Sequence, residues 1–206
     1  MAGRFITIEG GEGAGKTTQA RRLADALRQS GLTVLRTREP GGAPGAELLR
    51  GLLLGGGTDW SPLAEALLHY AARAEHVAKT IRPALDAGTW VVCDRFADST
   101  MAYQGYGQGA DRAALDALAG LVGLVPDLTI MLEVPLATSL ARLRARGAAA
   151  DRYERLGEAF FIRVNHGFAA IAAAEPGRCA VVPATAPEAS VAAQVLAAVR
   201  DRLGAP

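Results

Sequence analysis

Apolar residues in this chain fall into two rhythms, and their alternation lays out the elements. Phe5-Ile6-Thr7-Ile8-Glu9 is a strand-like run, after which Ala20, Leu23, Ala24 and Leu27 recur at helical spacing between Thr18 and Gln29 until Ser30-Gly31 stops them. Thr33 to Thr37 reads as a second strand, and Ala46 to Leu54 as a helix ended by Gly55-Gly56-Gly57. Ser61 is placed to cap a long helix with Pro62 at its first position, reaching about Ala87, with Pro83 set to kink or divide it. Thr89-Trp90-Val91-Val92-Cys93 is continuously apolar, as a strand covered on both faces would be. Helical stretches follow from about Ser99 and from Asp111 to Val122. Leu128 to Val134 is a fourth strand, and Pro135 to Ala145 another helix. A helix from Glu154 to Ala174 turns Phe160, Phe161, Val164, Phe168 and Ile171 inward, then Cys179 to Val182 forms a fifth strand and Glu188 to Leu203 a last helix. Strands alternating with helices, without repeats or a disordered linker, predict one α/β domain, residues 1–206: five parallel strands doubly wound by helices.

Composition narrows the function classes. Half of the 206 residues are hydrophobic and 21% are charged, with a net charge of +1, an ordinary globular balance with enough chain for a full core. No basic block interleaved with aromatics marks a nucleic-acid surface. The three histidines and two cysteines have no zinc spacing, and Cys93 and Cys179 sit in apolar strands as buried thiols. His76 and His166 read as structural or surface residues. The most apolar region, Leu118 to Ala145, is interrupted by Pro126, Asp127, Glu133 and Pro135, so it does not read as a membrane span. With nothing resembling a signal peptide at its start, the chain reads as cytoplasmic.

The chemistry is concentrated between the first strand and the first helix. Gly10-Gly11-Glu12-Gly13-Ala14-Gly15-Lys16-Thr17, followed by Thr18, reads as G-x-x-x-x-G-K-T in the strand–loop–helix setting that a phosphate loop requires. Glycines let successive N–H groups curl around one anion, and the helix adds its positive dipole end. Lys16 can reach the β- and γ-phosphates, and the Thr17 hydroxyl can hold Mg²⁺. Only Lys16 and Lys79 among 22 basic residues are lysine, which argues against a chance match in a flexible loop.

In a doubly wound sheet, ligands bind at the carboxyl ends of the strands. The polar clusters fall there: Glu9 with the phosphate loop, Arg38-Glu39-Pro40, Asp94-Arg95, Glu133 and the loop after Val182. Asp94 is placed either to hold Mg²⁺ or to accept backbone N–H bonds. Arg95 is placed to grip an acceptor phosphate, and a second phosphate site means a kinase rather than a hydrolase. Arg142, Arg144, Arg146 and Arg152 border a Gly-Ala segment, a short arginine-bearing lid at about 144–153.

These segments give the resemblance. Ile8-Glu9-Gly10 through Thr18, Thr37-Arg38-Glu39-Pro40-Gly41-Gly42, Tyr70-Ala71-Ala72-Arg73, Asp94 through Gly105, Pro126-Asp127-Leu128-Thr129, and Arg144-Ala145-Arg146-Gly147 with Asp151-Arg152 resemble bacterial thymidylate kinases over essentially the whole chain. The resemblance implies a P-loop NTPase fold and Mg²⁺-dependent transfer of the γ-phosphoryl of ATP to dTMP. It implies that Glu12 meets the sugar 3′-hydroxyl, Arg95 the dTMP phosphate, Arg73 the thymine carbonyl and Thr100 the base. Tyr103 would crowd C2′ and so disfavour a ribose, and Arg38, Glu39, Pro40, Ser99 and Gln104 join the acceptor site. Lys16 and Arg95, with Arg146 and Arg152 from the lid, would be the catalytic cations. A homodimer formed through helices is also implied. Two positions depart from the family pattern: His69 stands where the base-stacking residue is normally Phe, and Phe96 where Tyr or His is common. Alternatives are a P-loop kinase for another nucleoside monophosphate or deoxynucleoside, and a regulatory NTPase. A guanine-reading N-K-x-D element is absent, since Lys16 follows Gly15 and Lys79 follows Ala78.

Overall fold

Five strands, β1 (Phe5–Glu9), β2 (Val34–Arg38), β3 (Trp90–Asp94), β4 (Leu128–Glu133) and β5 (Cys179–Pro183), form one parallel sheet in the order β2-β3-β1-β4-β5. The computed structural model describes residues 3–55, 58–146 and 156–205. β1 lies at the centre, with Thr7 level with Cys93 on one side and Thr129 on the other. Because strand side chains alternate between faces, each strand serves two cores. Ile6, Ile8, Val92, Ile130 and Leu132 meet helices α1 (Lys16–Gln29) and α9 (Glu188–Leu203) through Leu23, Leu27, Val195 and Val199. Phe5, Val91 and Cys93 face the other way, against Val77, Ile81 and Phe96. On that face the hydroxyls of Thr7 and Thr129, both buried, satisfy each other at 2.8 Å.

The remaining α-helices are α2 (Pro44–Leu54), α3 (Pro62–His76), α4 (Arg82–Asp86), α5 (Ala97–Thr100), α6 (Arg112–Val122), α7 (Leu136–Arg146) and α8 (Glu158–Ala174). All five inward residues expected of α8 are buried. Asp111 caps α6 by accepting from Ala113 N, while Ser61 precedes α3 without a side-chain cap. The expected helix from Pro62 to Ala87 is broken by a π-helical turn, Val77–Ile81, just before Pro83. Proline has no N–H to give, and its ring crowds the carbonyl four residues back, so the wider turn falls where an α-turn is least tolerable. The helix expected from Ser99 is likewise α5 continued by a π-helical stretch, Met101–Gly107. This stretch packs so closely on α8 that a Cβ at Gly107 would lie 2.5 Å from the Phe160 ring. Both cysteines are buried thiols, as expected. Arg146 is the last residue of α7; its side chain, and Arg152 with the rest of the expected lid beyond it, lie outside the described residues.

Candidate active site

The loop between β1 and α1 turns through three glycines of positive φ, Gly10 at 132°, Gly13 at 69° and Gly15 at 90°. Gly10 has a second reason to lack a side chain, since a Cβ there would collide with the Leu132 carbonyl of the neighbouring strand. Inside this turn the Lys16 ammonium donates to Gly11 O at 2.6 Å. Burial, and then the charge of Arg95, lower its pKa from 10.5 to about 8, against the pull of Glu12, Asp94 and Glu9. Thr17 Oγ1 donates to Asp94 Oδ2 at 2.5 Å, bringing the first turn of α1 to the end of β3.

Arg95 follows Asp94 with φ at 70°, a left-handed conformation rare outside glycine. The turn is fixed from below. Arg95 N donates to Ile8 O at 3.0 Å, and the fully buried Glu9 carboxylate accepts from Phe96 N at 2.7 Å and from Ser99 Oγ at 2.6 Å. Burial, reinforced by Asp98, raises the Glu9 pKa to about 8 despite those donors and Arg95. So held, the Arg95 guanidinium donates to Ser99 Oγ at 3.1 Å, pairs with Glu12 and lies within 3.3 Å of Tyr103 Oη. Tyr103 in turn donates to Glu12 Oε1 at 2.8 Å, while its ring meets Phe160 and Phe168 edge-on.

One turn further into the cleft, Arg73 is almost wholly enclosed between the rings of Tyr70 and Phe96. Its Nε donates to Glu39 Oε2 at 2.8 Å and its Nη2 to Thr100 Oγ1 at 3.0 Å, while Nη1 is buried with no hydrogen-bond partner. The other Glu39 oxygen meets His76 Nδ1 at 3.0 Å, and His76 Nε2 meets Thr37 Oγ1 at 2.7 Å. Thr37, Glu39, Arg73, Phe96 and Thr100, together with Lys16, Thr17, Asp94, Arg95, His69 and Gln104, line a cleft of about 1000 Å³ that runs from the phosphate loop to α3.

Most residues expected at the site therefore come together. Arg38, Pro40, Ser99 and Thr100 line the cleft as well, Arg38 reaching out to Glu47 at 3.1 Å. Two expected clusters meet the phosphate loop in a second cavity. Glu133 and Thr185, the latter in the loop after β5, line this space of about 720 Å³ together with Gly11, Glu12 and Ala14, between β4, α7 and α8. Arg142, expected among the lid cations, instead clamps the loop, donating to Gly13 O at 3.2 Å and to Ala184 O at 2.8 Å. Ser139, one turn earlier on α7, also donates to the loop, at Glu12 O. The sequence reading passed over Ser139, Glu65 and the role of His76. For His76 the only available signal was its i+3 spacing from Arg73 on one helix face.

Comparison with known proteins agrees with this geometry. The family model described as thymidylate kinase matches residues 8–195. The thymidylate kinase of Gluconobacter oxydans is 56% identical, with 98% of each chain covered. That of Caulobacter vibrioides is 52% identical, again with 98% of each chain covered. The crystal structure of thymidylate kinase from Ehrlichia chaffeensis superimposes with a TM-score of 0.80 at 35% identity, covering 97% of this chain and 100% of that one.

Proposed function

We infer that this chain, which belongs to the thymidylate kinase family, transfers the γ-phosphoryl group of ATP to dTMP, giving ADP and dTDP. The observation that carries the reading is the meeting in one cleft of a phosphate loop with Arg73, whose buried Nη1 has no partner. A triphosphate suits the first, and a base carbonyl suits the second.

An oxygen of the acceptor phosphate attacks the γ-phosphorus as the bond to the β–γ bridging oxygen breaks, so the transferring group gains spread negative charge. Lys16, released from Gly11 O, is proposed to neutralise that charge. Arg95 is proposed to hold the acceptor phosphate, with Ser99, Glu12 and Tyr103 fixing its guanidinium. Glu12 would meet the 3′-hydroxyl, and the Tyr103 ring, braced by Phe160 and Phe168, would leave no room for a 2′-hydroxyl. Arg146 and Arg152 are proposed as the cations that close on the donor. The Thr17 hydroxyl and Asp94 carboxylate offer hard oxygen donors that fit Mg²⁺, which when bound would offset charge on the β- and γ-phosphates.

We also propose a cytoplasmic homodimer. Among the described residues no helix is long and apolar enough to cross a membrane, and Leu48, Leu52, Leu63 and Leu67 leave an exposed apolar face on the packed pair α2 and α3. A monomer by sedimentation at micromolar concentration would contradict the dimer.

The reaction is tested by measuring ADP release with dTMP, dUMP, dCMP, dGMP and thymidine as acceptors. The highest kcat/KM is expected with dTMP. A different best acceptor would assign the chain another substrate, and acceptor-independent release would make it a hydrolase.

A further inference from the structure

Behind the wall of the cleft lies a carboxylate that the reaction does not touch. Glu65, on α3, is fully buried and does not line the cleft. Its Oε1 accepts from Gln104 Nε2 at 3.0 Å and its Oε2 from Gln108 Nε2 at 3.2 Å, so one carboxylate holds the amides of two glutamines. Gln104, itself almost fully buried, does line the cleft. Glu65, His69 and Arg73 follow one another at intervals of four along one face of α3, which places Glu65 two turns from the guanidinium with the unpartnered Nη1.

We propose that Glu65 is a positioning residue for base selection, fixing which end of the Gln104 amide is offered to the acceptor's base. A carboxylate accepts hydrogen bonds, so it draws the amide nitrogen towards itself and leaves the amide oxygen as the group Gln104 can present elsewhere. An imide base such as thymine carries an N3–H, which an amide oxygen accepts. Cytosine has a bare N3 at that position, and two acceptors facing each other in a buried site repel. The wall thus offers one acceptor, from Gln104, beside one donor, from Arg73, matching the N3–H and the adjacent carbonyl of an imide. The inference rests on the reading above, in which the base lies against Arg73 and Gln104.

Glu65→Gln tests it with almost no change in volume. An amide has one accepting and one donating end, so it cannot take an N–H from both Gln104 and Gln108; one of the two must turn over or lose its bond. Steady-state constants for dTMP and dCMP are compared in the wild-type chain, Glu65→Gln, Glu65→Asp, and Gln104→Leu with and without Glu65→Gln. In Glu65→Gln the preference for dTMP over dCMP is expected to narrow about tenfold, through KM rather than kcat. Glu65→Asp, still accept-only, should keep most of the preference. With Leu at position 104, the Glu65→Gln change should no longer move the ratio. A lower melting temperature with an unchanged ratio would show that Glu65 only supports the fold and would overturn the proposal. If Glu65→Gln does not fold, Glu65→Ala, which holds neither amide, decides: a narrowed preference for dTMP that no longer changes once Gln104 is Leu supports the proposal, and an unchanged preference overturns it. A wild-type chain inactive on dTMP would instead remove the acceptor assignment itself.

Discussion

On the wall built from α3 and the residues after β3, Arg73 and Arg95 are paired with carboxylates, Glu39 and Glu12. On the phosphate-loop wall, Lys16 and Arg142 are held by backbone carbonyls, those of Gly11, Gly13 and Ala184. The difference is one of charge. A carboxylate fixes a guanidinium and offsets its charge, so the first wall is a rigid template whose donors are aimed before any ligand arrives. A carbonyl orients a cation while leaving its full charge available, so the second wall keeps positive charge for an incoming anion. The lowered pKa of the buried Lys16 expresses the cost of holding a charge away from water.

The largest effect should come from removing the cation that is hydrogen-bonded to a carbonyl rather than to a carboxylate. A preorganised charge aimed at a developing phosphoryl charge is typically worth about 3–4 kcal/mol in the transition state, so Lys16→Ala should lower turnover roughly a hundred- to a thousandfold. Its melting temperature should not fall, because no charged partner is stranded. Near-normal turnover in the purified variant would remove the phosphate-loop assignment.

Breaking the template wall should look different. Glu39→Gln keeps the volume but strands Arg73, and removing one partner of a buried pair typically costs about 3–5 kcal/mol. That corresponds to a melting temperature about 10 °C lower in a chain of this size. With Arg73 and His76 both loosened, the dTMP KM should rise about tenfold while the ATP KM moves less. A variant that melts normally, or that loses ATP rather than dTMP affinity, would show that the two walls are not distinct in this way.

The third prediction concerns pH and turns on the sign of the Lys16 shift. The ordinary pKa of 10.5 falls to about 8 in the fold, so the folded chain releases this proton earlier than the unfolded one. Between those values the unfolded state binds more protons, and stability should rise with pH. Donor capture should run the other way. The term kcat/KM for ATP, which reports the free enzyme, should fall above about pH 8 with a slope approaching one decade per unit. Once the phosphates are bound they favour the charged form, so kcat should hold to higher pH. A flat kcat/KM up to pH 9.5 would mean that the ammonium stays charged in the free site.

How legible this was depended on how local each feature is. The strands and helices, and the phosphate loop between β1 and α1, follow from periodicity and from one contiguous motif, and the expected and observed strand limits differ by a residue or two at most. The template wall was harder. Glu39 and His76 are 37 positions apart, and Glu65 and Gln104 are 39, so no local pattern joins them. His76, read as structural or surface, is fully buried between Glu39 and Thr37. The π-helical turns were invisible because they use the same residue types as α-helix and differ only in which carbonyl is met. Arg142 was assigned to the lid because it precedes a Gly-Ala segment, yet helix geometry turns it back onto the phosphate loop, one turn beyond Ser139.

The smallest expected effect lies at His69. His69 is half-buried in the cleft wall, one turn from Arg73 on the same face of α3. An imidazole presents a π-face to a base, smaller and more polar than a phenyl ring would be. Stacking of a base on a protein ring is worth about 1–3 kcal/mol in single-stranded nucleic-acid binders, and the imidazole belongs at the lower end of that range. His69→Ala should therefore raise the dTMP KM by up to about tenfold, with a smaller change for ATP. The preference for dTMP over dCMP should stay put, because ring stacking tolerates any base whereas Arg73 and Gln104 are proposed to read its edge. His69→Phe should match or improve the wild-type affinity for dTMP, and it should do so for dUMP equally, since a ring face contacts the part the two bases share. If His69→Ala lowers the melting temperature while leaving the dTMP KM unchanged, the imidazole packs within the wall and does not stack on the base, and the template wall then selects its base through edge contacts alone.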